Sequence, residues 1–312
     1  MGGKAPEWLA ADAAGIARAA ELLRAGELIA VPTETVYGLA ARADSEVAVA
    51  EVFRAKGRPD FNPLIVHVGS LDMARELARF DERAEALAAL YWPGPMTLVL
   101  PARESRVVAA VTAGLPTLAL RMPDHPATRR LLDAARLPLA APSANRSGGI
   151  SPTSPEHVAQ SLGSEVAAIL DGGPCPRGVE STIVALREEG TWQLLRPGPI
   201  AADELAELLG PPSNLADAGI EAPGQLARHY SPGKPLRLDA REAAEDEFLI
   251  GFGSVEGDCS LSEEGDLALA AARLYACLHE GAASDKPRIA VAPVPEEGIG
   301  AAINDRLRRA AA

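Results

Sequence analysis

The segment 56–67 constrains the fold more than any other part of this 312-residue chain. Residues 45–53 before it are apolar at helical spacing, and Gly57 ends the predicted helix. Leu64 to Val68 is a short run of apolar and β-branched residues, which is typical of a buried strand. A basic loop therefore joins the end of a helix to the beginning of a core strand.

Two cations, Lys56 and Arg58, lie in that loop, close in sequence to Asn62 and His67. Cations at the mouth of a sheet suit an anionic ligand, most simply a polyphosphate. The alternative is a solvated helix C-terminus, where Lys and Arg are common. The rest of the chain favours the anion site.

The charge of the whole chain limits the kinds of partner that it can bind. Its 30 Lys and Arg residues are outnumbered by 43 Asp and Glu residues, which leaves a formal net charge of −13. A protein this acidic does not coat nucleic acid or anionic lipid through bulk electrostatics. We therefore expect direct binding of nucleic acid to be weak or absent, and any anion site to be a local cluster of cations.

The cysteines and the hydropathy pattern predict a cytoplasmic protein. Cys175, Cys259 and Cys277 are scattered without metal-ligand spacing, which favours a reducing compartment. The N-terminal residues lack a signal-peptide pattern. The longest run without charge, residues 86–102, has 17 residues and contains prolines, so no membrane span is expected.

The order of predicted elements divides the chain into three parts. Residues 1–210 mix strands and helices without strict alternation, which predicts an α/β domain with a mixed sheet. Residues 211–235 are rich in proline, glycine and serine and are predicted to be a linker. Residues 236–312 predict a small α/β domain. The predicted helices cover residues 12–24, 45–53, 70–80, 81–91, 124–136, 203–209 and 263–279, one starts at Ser154, and one ends at 306–309. The predicted strands are 28–31, 64–68, 96–100, 117–122, 137–141, 167–170, 181–186, 192–195, 248–251 and 288–292.

Polar side chains recur at the ends of the predicted strands, which is how one crevice of an α/β sheet becomes lined. Taken singly, each group has an ordinary alternative. Residues 33–38 also fit a polar turn, and Arg121, on the same strand face as Thr117, also fits a structural salt bridge. The loop 142–151 also fits a plain surface loop rather than a phosphate cradle. Ser181 and Arg196 complete the set.

Several common catalytic motifs are missing from the sequence. It has no P-loop, no nucleophile elbow and no zinc-protease helix motif. Gly251 and Gly253 follow a strand, but Gly257 comes one residue too late for a dinucleotide fingerprint. The histidines His125, His157 and His279 are predicted to be surface or helix residues rather than ligands.

The motifs together resemble the threonylcarbamoyl-AMP synthase family, with its YrdC-like catalytic domain. They occur in the family's order over nearly all of residues 15–210. Segments 222–225 and 228–232 resemble the linker of the long, two-domain form, in which Gln225 replaces an expected methionine. The matching segments are Pro32-Thr33-Glu34-Thr35-Val36-Tyr37-Gly38-Leu39, Lys56-Gly57-Arg58-Pro59, Asn62-Pro63-Leu64, His67, Trp92-Pro93-Gly94-Pro95-Met96-Thr97, Arg121-Met122-Pro123, Pro142-Ser143-Ala144-Asn145, Ser181-Thr182 and Arg196-Pro197-Gly198.

The resemblance implies a fold and a reaction. The fold is a YrdC-like twisted mixed sheet with helices around a positive cavity, followed by a small Rossmann-like C-terminal domain. The reaction combines L-threonine, bicarbonate or carbon dioxide, and ATP to give threonylcarbamoyl-AMP and pyrophosphate. The product passes to a tRNA threonylcarbamoyl transferase complex, which modifies the adenosine beside the anticodon. Mg²⁺ is expected on the ATP phosphates, with no metal ligand assigned to the protein.

The resemblance also implies roles for individual residues. The linker would fold over the active site, with Tyr230 closing it, and His67 would orient threonine or act as a base. The residues implied to bind threonine are Thr35, His67, Arg121, Ala141 (through its backbone) and Ser181. The residues implied to bind ATP are Arg58, Asn62, Thr117, Ser143, Ser151, Arg196 and Tyr230. Lys56 and Arg58 would supply the catalytic charge at the phosphates.

Two other functions remain open at this level. An RNA-binding translation factor of the same fold is one, although the net charge of −13 and the lack of interleaved aromatic and basic residues argue against it. A related ATP-dependent enzyme that transfers carbamoyl groups to a different acceptor is the other.

Overall fold

The computed structural model describes residues 5–213, 219–225 and 228–312. Helices and strands alternate irregularly along these ranges. The helices are α1 (Ala13–Arg24), α2 (Glu46–Lys56), α3 (Leu71–Leu77), α4 (Glu82–Tyr91), α5 (Ala109–Thr112), α6 (Pro126–Ala135), α7 (Pro155–Ser161), α8 (Ala202–Leu209), α9 (Leu267–Ala283) and α10 (Gly300–Ala311). The strands are β1 (Glu7–Ala10), β2 (Ile29–Val31), β3 (Gly38–Arg42), β4 (Ile65–His67), β5 (Met96–Pro101), β6 (Thr117–Arg121), β7 (Leu139–Ala140), β8 (Ala168–Asp171), β9 (Thr182–Leu186), β10 (Trp192–Arg196), β11 (Leu236–Arg237), β12 (Glu247–Gly251), β13 (Cys259–Ser260) and β14 (Arg288–Val291).

Ten strands form one mixed sheet in the order β1-β8-β2-β3-β7-β4-β6-β5-β9-β10. Strands β4 and β6 run parallel in register, so that His67 lies beside Arg121 at their carboxyl ends. The antiparallel strand β7 flanks β4 on the other side. This arrangement confirms the predicted mixed α/β class and brings together strand ends that are far apart in sequence.

Most helix termini follow the signals in the sequence. Ser45 caps α2 through the amide of Ala48, and Gly57 ends it with φ +60°. Helix α6 corrects the prediction of an Asp124 cap, because the His125 side chain accepts from the amide of Ala127. Helix α9 begins at Leu267 rather than at 263, since Asp266 accepts from two amides at its N-terminus.

Strands β1 and β3 are absent from the predictions. Strand β3 has the sequence Gly-Leu-Ala-Ala-Arg, which contains no β-branched residue, yet it pairs with β2 and β7. Strand β1 lies at the sheet edge beside β8, with three of its four residues exposed. Both strands are held by pairing rather than by intrinsic propensity.

The C-terminal part contains a four-stranded parallel sheet in the order β11-β14-β12-β13. Its apolar core, formed with α9 and α10, continues into the N-terminal part. Val36, Ile150 and Val179 from the larger sheet region, together with Tyr230, belong to the same buried cluster. The two parts of the chain therefore share one core. In the described ranges, no helix is long and apolar enough to cross a membrane.

The linker is attached to both parts. The amide of Ser231 donates to the Gly148 carbonyl at 2.8 Å. Lys234 Nζ donates to the Gly281 carbonyl at the end of α9 at 3.0 Å. Gln225 Oε1 accepts from the amides of Glu221 and Ala222, at 2.8 and 2.9 Å, so glutamine closes a turn at this position. The domain boundaries themselves stay predictions.

Candidate active site

A small cavity lies where the ends of β4 and β6 meet the linker. Its volume is about 40 Å³. This is room for roughly three water molecules, since one needs about 10–15 Å³ by this measure. The lining residues include Thr33, Val36, Arg58, His67, Arg121, Ala141, Ser143, Glu180 and Arg196, with Pro223, Gly224, His229 and Tyr230 from the linker.

Arg121 reaches the cavity from the end of β6 and is held on one side by an ion pair. Its Nη2 donates to Glu34 Oε1 at 2.6 Å, and its Nε donates to the Gly94 carbonyl at 3.2 Å. Glu34 is itself fixed by the amide of Asp124 at 3.0 Å. Burial would raise the pKa of Glu34, but the Arg121 charge and these hydrogen bonds lower it. The guanidinium is therefore both a salt-bridge partner and a rigid part of the cavity wall.

His67 lies next to Arg121 across the β4–β6 pair and is 3% exposed. Burial and the neighbouring Arg121 charge lower the pKa of this imidazole well below its usual value. It is therefore neutral at pH 7. Its Nδ1 has no hydrogen-bond partner among the described residues. A buried polar atom of this kind calls for a ligand or a water molecule.

Arg58 and Arg196 bring two more buried cations to the cavity. Arg58 Nη2 donates to the Pro63 carbonyl at 2.9 Å, and Arg196 Nε donates to the Ser181 carbonyl at 3.0 Å. Burial and the Arg196 charge lower the pKa of Arg58 to about 10. Two buried like charges are costly without an anion between them. The arrangement therefore suits a polyanion.

The linker covers these cations closely. Gly224 has φ +90°, and a Cβ there would lie 2.8 Å from Arg196 Cδ and 3.3 Å from Tyr230 Oη. Tyr230 adopts φ +63°, and its hydroxyl is buried without a hydrogen-bond partner in the part of the chain that the structure describes. The linker thus closes the cavity. It can pass this close to Arg196 only because residue 224 is a glycine.

Seven of the predicted site residues line the cavity, whereas six lie behind its wall or away from it. The lining residues are Arg58, His67, Arg121, Ala141, Ser143, Arg196 and Tyr230. The remaining six are Thr35, Lys56, Asn62, Thr117, Ser151 and Ser181. Their roles in binding stay predictions.

Lys56 supports a loop of the site. Its Nζ donates to the backbone carbonyls of Ser143, at 2.5 Å, and Asn145. Burial and the Arg58 charge lower its pKa well below the usual value. The geometry therefore gives Lys56 the task of holding the loop that carries Ser143, whereas the sequence predicts charge at the phosphates.

The other polar residues differ in how they approach the cavity. Thr35 Oγ1 lies 2.9 Å from Thr33 Oγ1, and the Ser181 hydroxyl accepts from Arg196 Nη2 at 3.0 Å, so both support residues of the wall. Asn62 Oδ1 is buried and lacks a hydrogen-bond partner among the described residues. Thr117 lies at the opposite end of β6 from Arg121, beside Pro101.

The sequence motifs assign no individual role to Glu34, which pairs with Arg121, or to Glu180, Gly224 and His229, which line the cavity. Glu34 stands between two threonines shortly after β2. Glu180 stands in Gly178–Ser181, just before β9. That position was a usable signal. Their partners, however, are 87 and 126 residues away.

Buried neutral histidines predict that the protein loses stability in mild acid. Burial lowers the pKa of His229 to about 3, and burial with the His157 charge lowers that of His279 to about 4. Between these values and about 6.5 the unfolded chain binds protons that the folded chain does not, so stability falls as pH falls. Each histidine contributes up to about 1.4 kcal/mol per pH unit.

The urea midpoint of unfolding, measured from about pH 8 to about pH 5, checks this expectation. His279 is the residue to substitute, because it lies outside the cavity lining. Its ring stacks on that of His157, with ring centroids 3.8 Å apart. We expect His279→Gln to flatten the acid side of the profile. A midpoint that is the same at both ends of the range would contradict the assignment of neutral histidines.

Two family models together cover most of the chain. The model described as "Telomere recombination" (Sua5/YciO/YrdC) matches residues 21–198, and the model described as "Threonylcarbamoyl-AMP synthase, C-terminal domain" matches residues 200–312. The chain belongs to the threonylcarbamoyl-AMP synthase family. This confirms the family and the enzyme class, a transferase, that the sequence motifs predict.

Individual members of this synthase family are similar to the chain over nearly its full length. A threonylcarbamoyl-AMP synthase of Bacillus subtilis is 39% identical over 95% of this chain and 92% of its own. The crystal structure of Pyrococcus abyssi Sua5 complexed with L-threonine is 36% identical, with a TM-score of 0.89 over 99% of this chain and 98% of that one. A synthase of the same archaeon is 39% identical over 94% of this chain and 92% of its own.

Proposed function

We propose that this protein is an L-threonylcarbamoyladenylate synthase. It joins L-threonine, bicarbonate or carbon dioxide, and ATP into threonylcarbamoyl-AMP, with release of pyrophosphate, for the modification of tRNA beside the anticodon. The observation that carries the proposal is the convergence of Arg58, Arg121 and Arg196 on one cavity of a chain with a net charge of −13. Family membership narrows the anion to the substrates of this reaction.

Threonine occupies the end of the cavity at β4 and β6. The Arg121 guanidinium, already held by Glu34, takes the carboxylate of the amino acid, because a fixed fork of donors matches that group. Neutral His67 orients the amine or the hydroxyl through a hydrogen bond. The backbone of Ala141 faces the same space.

ATP enters at the end formed by the basic loop and the linker, and the linker moves outward to admit both substrates, because the closed cavity has a volume of only about 40 Å³. Arg58 and Arg196 bind the phosphates. The negative charge between the two guanidiniums offsets their mutual repulsion. Ser143, whose loop is tied down by Lys56, contributes a hydroxyl at the same wall. Tyr230 closes over the nucleotide from the linker.

The chemistry then depends on positioning. The neutral amine of threonine attacks the carbon of carbon dioxide and loses a proton, which gives a carbamate. A carbamate oxygen attacks the α-phosphorus of ATP, the bond to the bridging oxygen breaks, and pyrophosphate leaves. Such transfers need alignment and charge neutralisation rather than covalent help. The closed linker excludes water from a labile intermediate.

Magnesium enters this scheme as part of the MgATP substrate. The described residues contain no group of three or more His, Cys, Asp or Glu side chains that could hold a metal ion. The charged groups on the cavity wall are three guanidiniums and Glu180, which is engaged by other side chains. The phosphate oxygens are therefore the natural ligands of the ion.

The product goes to a tRNA threonylcarbamoyl transferase complex, and the protein itself touches tRNA weakly or not at all. The net charge of −13 supports weak binding of tRNA by the protein itself. A cytoplasmic location stays a prediction from the scattered cysteines. The RNA-binding and carbamoyl-transfer alternatives are not favoured by the family's activity.

Release of pyrophosphate from ATP tests the proposed reaction. We expect release to depend on both L-threonine and bicarbonate, and to fall by at least about tenfold with serine, which lacks one methyl group. Equal release with serine, or without any amino acid, would remove the threonine assignment. Mass detection of threonylcarbamoyl-AMP identifies the product directly.

A further inference from the structure

The C-terminal domain reaches into the wall of the candidate active site through Glu180. This residue lies just before β9, lines the cavity and is 5% exposed. Its Oε2 accepts from Tyr275 Oη at 2.8 Å and from Arg306 Nε at 2.9 Å. Its Oε1 accepts from Ser151 Oγ at 2.6 Å. Tyr275 and Arg306 belong to helices α9 and α10, so one carboxylate joins both domains.

Arg306 is placed in a way that packing alone does not explain. Its side chain is 0% exposed, and its Nη1 donates to Asp305 Oδ2 at 2.8 Å. Its guanidinium carbon lies 5.5 Å from the centroid of the Tyr230 ring. Its Nη2 has no hydrogen-bond partner in the described part of the chain. A buried donor without a partner costs free energy of folding. A contribution to stability therefore does not by itself account for an arginine at this position.

The charge of Glu180 creates a need that Arg306 meets. Burial would raise the pKa of Glu180, but the charges of Arg306 and Arg196 lower it to about 2, so the side chain is a carboxylate. It shares the cavity wall with Arg58 and Arg196. An unpaired carboxylate at this wall would repel the phosphates of ATP.

We propose that Arg306, assisted by Tyr275, is a positioning residue of the active site: it neutralises Glu180 at the cavity wall, and its contact with the Tyr230 ring keeps that side chain facing the nucleotide. The inference rests on the proposed synthase function, which supplies the nucleotide. It gives the C-terminal domain a part in ATP binding that acts through the cavity residue Glu180. It also explains why a carboxylate is tolerated in a site for a polyanion.

The backbone geometry fits this role. Gly178 has φ +68°, and a Cβ there would lie 2.3 Å from the Ala271 carbonyl oxygen and 2.4 Å from Ala272 Cα in α9. The loop that carries Glu180 is therefore pressed against the C-terminal domain. The nearby Gly173 has a similar φ of +75°, but a Cβ at that position would have no described atom within 4 Å, so the close contact belongs to Gly178.

A double-mutant cycle that removes the two charges, in the full-length protein, tests the proposal. The variants are Arg306→Gln, Glu180→Gln and the double variant, each assayed for pyrophosphate release with the KM for ATP and the KM for threonine measured separately. We expect Arg306→Gln to raise the KM for ATP about 30-fold, because it leaves Glu180 unpaired beside the phosphates. The double variant should return to within about threefold of wild type, because its cavity wall carries no carboxylate.

Arg308 supplies the matched control, since it lies on the same helix with its side chain 56% exposed and paired with Glu296. Arg308→Gln removes the same charge and should leave both KM values unchanged. A folded Arg306→Gln with the wild-type KM for ATP would overturn the proposal. So would a folded double variant whose KM for ATP is raised about 30-fold.

Two further measurements keep the test decisive. If Arg306→Gln does not fold, Tyr275→Phe takes its place: it removes the hydroxyl that lies 3.0 and 2.8 Å from the two Glu180 oxygens and should raise the KM for ATP about fivefold. An unchanged value would then overturn the proposal. Wild-type protein without threonine-dependent release would instead refute the proposed function, and binding of an unreactive ATP analogue to the same variants would still test the role of Arg306.

Discussion

Replacing Arg121 with alanine should abolish most threonine binding and leave ATP binding nearly intact. The guanidinium is buried, rigidly held by Glu34 and Gly94, and faces the cavity beside His67. Loss of a charge-assisted, two-pronged contact with a carboxylate costs about 3 kcal/mol, which corresponds to about a 100-fold rise in the KM for threonine. Separate titrations of ATP and threonine, with pyrophosphate release as the signal, measure the two effects.

The partner of Arg121 complicates this variant, and a second one resolves it. Arg121→Ala leaves Glu34 as a buried carboxylate that keeps its hydrogen bond from the Asp124 amide but loses its cation, at a cost of about 3–5 kcal/mol in stability. Adding Glu34→Gln removes that unpaired charge. We expect the double variant to recover stability in urea unfolding but not threonine binding. Equal losses for ATP and threonine in the stable double variant would disprove the assignment.

Replacing Tyr230 with alanine should reduce turnover by about 100-fold, because the linker can no longer seal the cavity against water. The ring is 1% exposed, meets His229 edge-on with centroids 4.0 Å apart and lies 5.6 Å from the Tyr275 ring. Its removal should also cost about 3–5 kcal/mol of packing. Rapid-quench measurement of threonylcarbamoyl-AMP, combined with circular dichroism, separates lost activity from lost structure.

Tyr230→Phe is the matched control for the ring. It keeps the contacts with His229 and Tyr275 but removes a hydroxyl that has no partner among the described residues. We expect wild-type stability and a raised KM for ATP, because the hydroxyl faces the nucleotide in the proposed complex. Wild-type turnover by a well-folded Tyr230→Ala protein would end the assignment of the linker as a lid.

The sequence predicts the elements of this fold better than it predicts their contacts. Apolar runs such as 64–68 and 117–122 became strands because their composition favours burial at any position in a sheet. Strand β3 was missed because its alanines and glycine carry no such preference, and pairing with β2 and β7 determines it. Local composition thus predicts the centre of the sheet but not strands that depend on their neighbours.

The candidate site shows the same limit. The cations Arg58, Arg121 and Arg196 could be predicted because each stands at a strand end or in a loop beside one. The pairing of Glu34 and Glu180 with cations could not be predicted, since their partners Arg121 and Arg306 are 87 and 126 residues away and meet them only through tertiary contacts. For Lys56, charge alone predicted contact with phosphate, whereas its hydrogen bonds go to two backbone carbonyls.

The shared core has a consequence for the larger part of the chain when it stands alone. Val36, Ile150 and Val179 pack among C-terminal residues such as Leu274 and are nearly inaccessible to water. A polypeptide cut within the linker would expose these apolar side chains near the candidate active site. The last quarter of the molecule therefore also shields apolar side chains that the larger part alone would expose to water.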